Sequence, residues 1–148
     1  MPENKSENKP EKLNLTHVNS VFEIVEAHAQ NPQFSSWKIE QVRSELQSGH
    51  GLGFLQNEKL IAFILYKAFD SHIEISLLAT HPEREHQGLM RSLLGQVREF
   101  KPVREIWLEV HENNLRARQI YEKSGFFIVG RRFSYYPDGG AAILYNCL

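Results

Sequence analysis

The sequence predicts an α/β fold: one domain with a mixed central sheet of about six to seven strands and helices on both faces. Apolar residues recur at helical spacing in some segments and alternate with polar residues in others, and the two patterns interleave along the chain. The chain has 148 residues, of which 41% are hydrophobic, and this suits a single domain with one core. We assign residues 13–148 to that domain.

The N-terminal segment and the overall charge narrow the class of protein. Residues 1–12 contain three Glu, three Lys and two Pro, with no apolar residue after Met1, which predicts a disordered tail rather than a secretory signal. The formal net charge of −1 creates no field that would recruit nucleic acid, and no apolar run reaches the length of a membrane helix. The single cysteine, Cys147, excludes an internal disulfide. We therefore expect a cytoplasmic protein without nucleic-acid or membrane partners.

The first half of the chain predicts a short strand, two helices and three longer strands. In chain order these are a strand at 12–15, helices over 17–30 and 37–47, a loop at 49–53 that leads into a strand, and strands over 60–69 and 72–80. Thr16 is the predicted N-cap of the first helix, because Thr before an apolar periodic segment commonly caps a helix. The turn Asn57-Glu58 joins its flanking strands into a hairpin.

The second half continues with two helices and three strands. The predicted ranges are a helix over 89–100, a strand over 106–111, a helix over 115–123, and strands over 126–135 and 141–147. The first of these helices carries one apolar stripe, which suits a helix packed on a sheet. The stripe consists of Leu89, Met90, Leu93, Leu94, Val97 and Phe100.

The strand at 106–111 and the helix after it bring polar groups to one corner. Glu109 lies in the middle of an alternating strand, where a carboxylate is costly unless it has a partner or a task. Asn114 is placed to cap the helix, Tyr121 lies two turns into it, and Gly125 follows its last turn. The segment therefore predicts a carboxylate, an amide and a phenol at a strand-to-helix corner, where ligands often bind in α/β proteins.

A second candidate site lies at the entry to the helix over 89–100. Residues 85–91 read EHQGLMR, so Gly88 immediately precedes the first helical turn and Arg91 lies within it. Unpaired N–H groups and the helix dipole favour an anion at such an entry, and Gly88 permits a positive φ and close approach of a phosphate. A plain turn is the alternative interpretation of the same residues.

Two stretches, WLEVHENNLRARQIYEKSGF and RRFSYYPDGGAAIL, resemble the Gcn5-related N-acetyltransferase (GNAT) superfamily, and within it the RimI-type protein N-terminal acetyltransferases. The resemblance extends from about residue 13 to the C-terminus. It implies a GNAT fold, for which the order βααβββαβαββ is expected. It also implies acetyl-coenzyme A as the co-substrate.

The resemblance also implies the coenzyme-binding residues. The family pattern Gln/Arg-x-x-Gly-x-Gly/Ala, which binds the diphosphate, is matched at Gly88, while Glu85 and Met90 depart from it. The residues implied in coenzyme binding are Leu78, Ala79 and Thr80 on a strand edge, His86, Gln87, Gly88, Leu89, Met90 and Arg91 at the helix entry, and Asn114. We expect the Met90 side chain to pack inward with the apolar stripe, which would leave the backbone amides open.

Glu109 and Tyr121 occupy the positions of the family's catalytic pair. The resemblance implies that Glu109 takes a proton from the incoming ammonium, directly or through water, and that Tyr121 protonates the leaving thiolate. Other interpretations stay open: Glu109 as half of an ion pair, Tyr121 as a core residue, and Asn114 as an N-cap alone. His111 shares a strand face with Glu109 and is a rival base.

The segment Tyr135-Tyr136-Pro137 resembles the tyrosine-rich loop that shapes the peptide groove of N-terminal acetyltransferases. The acidic pair that relatives often carry after this loop is replaced by Gly140 and Ala141. We expect a protein or peptide N-terminal amine as the acceptor, with a small-molecule amine or a non-catalytic acyl-coenzyme A sensor as alternatives. The seven histidines show no ligand spacing, so we predict no metal site.

Overall fold

The computed structural model describes residues 9–34, 37–102 and 104–148. Seven strands form one sheet in the order β1-β2-β3-β4-β5-β7-β6. The strands are β1 (Glu11–Leu13), β2 (His50–Gln56), β3 (Lys59–Ala68), β4 (His72–Thr80), β5 (Glu105–His111), β6 (Phe127–Arg132) and β7 (Ala142–Cys147). The helices are α1 (Val18–Ala27), α2 (Ile39–Ser48), α3 (Leu89–Arg98) and α4 (Leu115–Lys123). The predicted α/β class and element order are confirmed.

Helices cover both faces of the sheet, and the central strand β3 is buried from both sides. Ile64 packs in a cluster with residues of α3 and α4, whereas Phe63 and Leu65 pack with residues of α1 and α2. All three are fully buried, and each contributes roughly 1.5–3 kcal/mol of transfer free energy. The chain therefore builds two apolar layers, one on each face of β3.

Strands β4 and β5 pair in parallel only at their beginnings. The register ends at the pair Glu74↔Trp107, after which β4 continues along β3 and β5 continues along β7. A bulge lies at the same point, because Tyr66 pairs with Ile75 while Leu65 pairs with Leu77, so that Ser76 is an extra residue in β4. Bulges bend and twist a strand, and this one turns β4 away from β5. The result is a gap in the middle of the sheet.

The first helix begins differently from the prediction. Thr16 is not a cap; Asn14 caps the 3₁₀ turn that precedes the helix, because the Asn14 side-chain oxygen accepts from the Thr16 N–H (2.9 Å) and from the Thr16 hydroxyl (2.6 Å). A 3₁₀ turn over Leu15–His17 precedes α1, which ends at Ala27 rather than at residue 30. The Thr16 hydroxyl thus donates to the cap instead of acting as one.

The predicted loop at 49–53 is mostly strand. β2 starts at His50, and its glycines serve close packing rather than turning the chain. A Cβ on Gly53 would lie 2.5 Å from Leu60 Cδ1, and one on Gly51 would lie 3.1 Å from Leu13 Cβ. These glycines let β1 and β3 approach β2 closely. The sequence alone does not distinguish such glycines from glycines in a loop.

The ends of the chain differ from the prediction in smaller ways. β1 begins at Glu11, within the predicted tail, because Glu11 pairs with Gly53 at the sheet edge. Residues 1–8 of that tail lie outside the described residues. β6 ends at Arg132, three residues before its predicted end at 135, and the chain turns at Ser134, whose φ is 51°. Within the part of the chain that the structure describes, every helix is too short or too polar to cross a bilayer.

A pair of glycine substitutions should separate packing from conformational freedom. Gly53→Ala should lower the free energy of unfolding by about 1–3 kcal/mol, because the new methyl group overpacks the contact with Leu60. Gly95→Ala should raise it by about 0.5–1 kcal/mol, because Gly95 lies within α3 and a Cβ there meets no atom within 4 Å. Urea denaturation of both variants measures the two changes. Equal effects of the two substitutions would contradict this account of β2.

Candidate functional site

The open edge of β4 points backbone groups into the gap. The His81 N–H donates to the Ile61 carbonyl (2.8 Å), so alternate residues back along β4, Ala79 and Leu77, bond to β3. The N–H and C=O groups of Leu78 and Thr80 therefore point away from β3, toward β5. The His28 ring nitrogen Nε2 lies 2.7 Å from the Thr80 carbonyl oxygen, which agrees with that direction. The predicted strand edge thus exists, and its Leu78 N–H faces the gap.

The entry to α3 has the geometry of an anion site. Gly88 is the N-cap residue with φ 77° and has no side chain to cap the first N–H groups of the helix. His86 also has a positive φ, 68°, so the loop before the helix is tightly curved. A Cβ on Gly88 would meet no atom within 4 Å, which leaves open space over the first turn. The backbone at Gly88 is therefore accessible to a phosphate-sized group.

Cationic side chains surround that helix entry. A groove of about 320 Å³, here called the helix-entry groove, lies between the loop before α3 and the outer face of α4. Its lining includes His86, Gln87, Gly88, Leu89, Met90 and Arg91, together with Arg84, Arg116 and Lys123. Arg116 Nη1 lies 2.9 Å from Glu85 Oε2, so the acidic residue that departs from the family pattern is paired. The groove therefore combines open N–H groups with an excess of positive charge.

Met90 packs inward, as the apolar stripe predicts. Its side chain is 7% exposed and belongs to the same core cluster as Leu93, Leu94 and Val97. The Met90 side chain therefore lies mainly under the helix rather than across its N–H groups. The departure at Met90 leaves the entry to α3 open.

Asn114 and Tyr121 lie at the far wall of the gap, on α4. The Asn114 side-chain oxygen accepts from the Ala117 N–H (3.2 Å) and so caps the helix as predicted. Tyr121 is 6% exposed, with its ring against Phe126 and Tyr145. Burial raises the pKa of Tyr121 above its usual 10.0, and the neighbouring Tyr136 and Tyr145 raise it further. Its phenol therefore keeps its proton throughout the physiological range.

Glu109 is the member of the predicted set with an ion-pair partner. Arg132 Nε on β6 lies 3.0 Å from Glu109 Oε1, and the Arg132 guanidinium also lies over the Tyr135 ring, 5.8 Å from its centroid. The side chain of Glu109 is 31% exposed and that of Arg132 is 56% exposed. The strand glutamate is therefore both accessible and paired, which matches one of the alternatives that the sequence left open.

Three cavities connect the predicted residues. The edge groove, about 370 Å³, is lined by Leu78, Ala79, Thr80, Asn114 and Tyr121. The aromatic groove, about 720 Å³, lies on the other side and is lined by Trp37, Trp107, Glu109, Arg132, Tyr135 and Tyr136. A narrow connecting cavity of about 50 Å³ is lined by Leu78, Glu109, Asn114, Tyr121 and Tyr136. Glu109 and Tyr121 therefore meet where the two larger grooves approach each other.

His111 is buried and its ring nitrogens are engaged. Its Nδ1 accepts from the Asn113 N–H (3.1 Å), so Nε2 carries the proton and donates to Asp138 Oδ2 (2.8 Å). The Tyr136 ring lies 4.8 Å from the imidazole. His111 thus anchors the segment between β6 and β7, and a role as free base would require breaking one of these bonds.

That segment, residues 133–141, is held by its own hydrogen bonds. The Gly140 carbonyl accepts from the Tyr135 N–H (3.1 Å) and the Tyr136 N–H (3.0 Å), and the Gly140 N–H donates to Asp138 Oδ1 (2.9 Å). A Cβ on Gly140 would collide with the His111 ring, so a larger residue does not fit. The Ala141 N–H donates to the Glu112 carboxylate. The segment is thus in close contact with His111 and Glu112 at Gly140 and Ala141.

Several groups at the site escaped the sequence analysis. Arg132, Asp138, Arg116 and Trp37 each line a groove or pair with a predicted residue. The partners of Arg132, Asp138 and Arg116 lie 23 or more positions away in the sequence, so only the strand register and the loop path bring them together. Over the described ranges 9–34, 37–102 and 104–148, no group of three or more His, Cys, Asp or Glu side chains is arranged to hold a metal ion.

The model of the acetyltransferase (GNAT) family matches residues 18–126 of this chain. The [ribosomal protein bS18]-alanine N-acetyltransferase of Escherichia coli (strain K12) is 34% identical over 85 residues, which are 55% of this chain and 57% of that protein. The protein of the same name from Haemophilus influenzae is 36% identical over 90 residues, 58% of this chain and 60% of that protein. The matched segment thus spans little more than half the length of these curated relatives.

Solved structures agree with the fold over most of the chain. The crystal structure of the ribosomal-protein-S18-alanine N-acetyltransferase from Escherichia coli has a TM-score of 0.85 and 28% identity, with 95% of this chain and 92% of that chain covered. RimL, a ribosomal L7/L12 alpha-N-protein acetyltransferase in complex with coenzyme A, has a TM-score of 0.74 and 13% identity, with 94% and 92% covered. At 13% identity, the second comparison shows the fold alone.

Asp138 should control the order of the segment over residues 133–141. Asp138→Ala should speed hydrogen exchange at the Tyr135 and Tyr136 amides, because the bonds from His111 and Gly140 are lost. Asp138→Asn keeps an acceptor oxygen for His111 and should retain most of the protection. Exchange measured by mass spectrometry on all three proteins decides the matter, and equal exchange in the Ala variant and the parent would contradict the anchor.

The same contact should make the effect of Asp138→Ala depend on pH. The hydrogen bond from His111, followed by that from Gly140, holds the pKa of Asp138 below its usual 3.8. A carboxyl with a lowered folded-state pKa stabilises fully above its unfolded pKa and loses that contribution as the pH falls through the lowered value. The difference in melting temperature between parent and Asp138→Ala should therefore narrow as the pH falls below about 4.

Proposed function

We propose that this protein, which belongs to the acetyltransferase (GNAT) family, transfers an acetyl group from acetyl-coenzyme A to the N-terminal amine of a protein or peptide. The family match confirms the resemblance found in the sequence. One observation carries the proposal: the edge groove and the aromatic groove meet at a connecting cavity that is lined by both Glu109 and Tyr121. The relatives named as N-acetyltransferases of a ribosomal-protein alanine support the choice of acceptor.

The coenzyme would bind along β4 and α3. Its pantetheine arm would lie in the edge groove and bond to the backbone of Leu78 and to the Thr80 N–H, as an added strand bonds to a sheet edge. Its diphosphate would lie at Gly88, where helix N–H groups and Arg91 favour negative charge. The Leu78 N–H points into the gap, so it would polarise the thioester carbonyl as that oxygen becomes negative.

The acceptor amine would enter from the aromatic groove. Glu109 would take a proton from the ammonium, directly or through water, and the neutral amine would then attack the thioester carbon. A C–N bond forms and the C–S bond breaks, so a thiolate leaves toward the edge groove. Tyr121 would protonate that thiolate, and its raised pKa keeps a proton on the phenol for this purpose.

The activity is tested by acetyl-coenzyme A-dependent thiol release with two acceptor panels. We expect turnover with peptides that have a free N-terminal amine, including N-terminal alanine, and little with small-molecule amines. The same peptides with a blocked N-terminus are the control, because they retain every contact except the reacting amine. Turnover confined to small amines would contradict the acceptor class, and coenzyme binding without turnover on either panel would indicate a sensor.

The catalytic pair is tested by conservative substitution. Glu109→Gln and Tyr121→Phe should each lower kcat by about 10²–10⁴-fold, the usual contribution of general acid–base catalysis, and leave the coenzyme Kd nearly unchanged. Tyr66→Phe, at another buried tyrosine, and Glu58→Gln, in the β2–β3 turn, are the matched controls. Full turnover in Tyr121→Phe would place the acid elsewhere. Because Asp138→Ala releases the same segment as His111→Ala, His111 would be identified as the base only by a loss in His111→Ala that is deeper than in both Glu109→Gln and Asp138→Ala.

A further inference from the structure

We propose that the Arg132 guanidinium occupies the position that the acceptor's ammonium group takes beside Glu109, so that an acceptor binds only by displacing it. The inference rests on the proposed function, because it assigns the Glu109 carboxylate to the acceptor amine. Arg132 is then an internal substitute for the substrate's charge, and it sets which acceptors can enter the aromatic groove.

The sheet register explains how Arg132 reaches Glu109. Glu109 and Gly130 both pair with Leu144, so the three residues form one row across β5, β7 and β6. Gly130 has no side chain, so the space beside Leu144 in that row is open to the side chain of Arg132. Arg132, two positions along β6 on the same face, extends across it and brings Nε to 3.0 Å from Glu109 Oε1.

The contacts of Arg132 are weak enough for its side chain to move away from Glu109. Its side chain is 56% exposed, and an ion pair of this exposure contributes little net free energy. The Tyr135 ring lies 5.8 Å from the guanidinium and offers a second favourable contact when the bond to Glu109 breaks. Both Arg132 and Tyr135 line the aromatic groove, so the displaced side chain stays at its wall rather than blocking its floor.

The exchange favours acceptors that arrive as cations. An ammonium group replaces the guanidinium at Glu109 without leaving the carboxylate unpaired, and the net charge at that position is unchanged. A neutral group offers Glu109 no charge in exchange for the guanidinium, so it binds through the rest of the peptide and leaves the Arg132–Glu109 pair intact. Arg132 thus makes the positive charge of the acceptor a condition of productive binding.

The test uses two neighbouring arginines that differ in the face they occupy. Arg132→Gln removes the guanidinium beside Glu109, and Arg131→Gln removes the same charge from the opposite face of β6, where Arg131 pairs with Ile143 of the core. The probes are a peptide with N-terminal alanine and its analogue in which a hydroxyl replaces the α-amino group. The KM of the first and the competitive inhibition constant of the second are measured for all three proteins.

We expect Arg132→Gln to lower the KM of the alanine peptide by about twofold to fivefold, the equilibrium factor that an exposed ion pair represents, while the inhibition constant of the hydroxyl analogue stays unchanged. Arg131→Gln should change neither constant. A rise or no change in KM for Arg132→Gln would overturn the proposal. An equal gain for the hydroxyl analogue would also overturn it, because the cause would then be space rather than charge.

A chemical measurement tests the proposal without turnover. Modification of Glu109 by a water-soluble carbodiimide with glycine methyl ester, quantified by mass spectrometry, should be faster in Arg132→Gln than in the parent or in Arg131→Gln. Equal modification rates would mean that Arg132 does not cover Glu109 in solution, and the proposal would fail on that result alone. If modification differs but no peptide is acetylated, the acceptor class of the proposed function is wrong while the Arg132 contact stands.

Discussion

The separation of β4 from β5 is the constraint on which the rest of the site depends. β4 stays with β3 because both are buried between two helical layers, and β5 stays with β7 for its whole length. The bulge at Ser76 sets the point at which the two strands diverge. Beyond it, the peptide groups of Leu78 and Thr80 face a gap instead of a neighbouring strand. An open edge at the centre of a sheet needs a polar partner, and an extended ligand supplies one.

The two sides of the gap present different chemical groups. The β4 side, with the entry to α3, presents backbone N–H groups and cations, which suit an anionic and extended molecule. The β5 side presents carboxylate and aromatic groups, which suit a cation with an apolar body. Tyr121 reaches the same opening from α4 because its ring is held by Phe126 and Tyr145. The opening is therefore lined by groups that suit an anion on one side and by groups that suit a cation on the other.

Most features of the fold and the site that depend on residues close together in the sequence were predicted, whereas those that depend on distant residues were not. Local patterns gave the element order, the Asn114 cap, the glycine at the α3 entry and the inward packing of Met90, because spacing within one element decides them. The Asn14 cap was missed because Asn14 and Thr16 are both favourable capping residues and the spacing does not choose between them. The strand character of 49–53 was missed because it depends on the packing of Gly51 and Gly53 against neighbouring strands. The pairs Glu109–Arg132 and His111–Asp138 depend on strand register and loop path, which one sequence does not encode visibly.

The ion pairs at the site differ in how far their members are buried. Glu85 pairs with Arg116 at the helix entry, Glu109 with Arg132 in the aromatic groove, and Asp138 with His111 beneath the tyrosines. The first two pairs are partly exposed, so each fixes a side chain at small net free energy and a ligand group of like charge can replace one partner. The third includes a fully buried imidazole with both nitrogens bonded, so breaking it would strand a polar group away from water. The Glu85 and Glu109 carboxylates are therefore accessible to ligand charges, whereas the contact of the buried His111 ring with Asp138 holds the tyrosine segment in place.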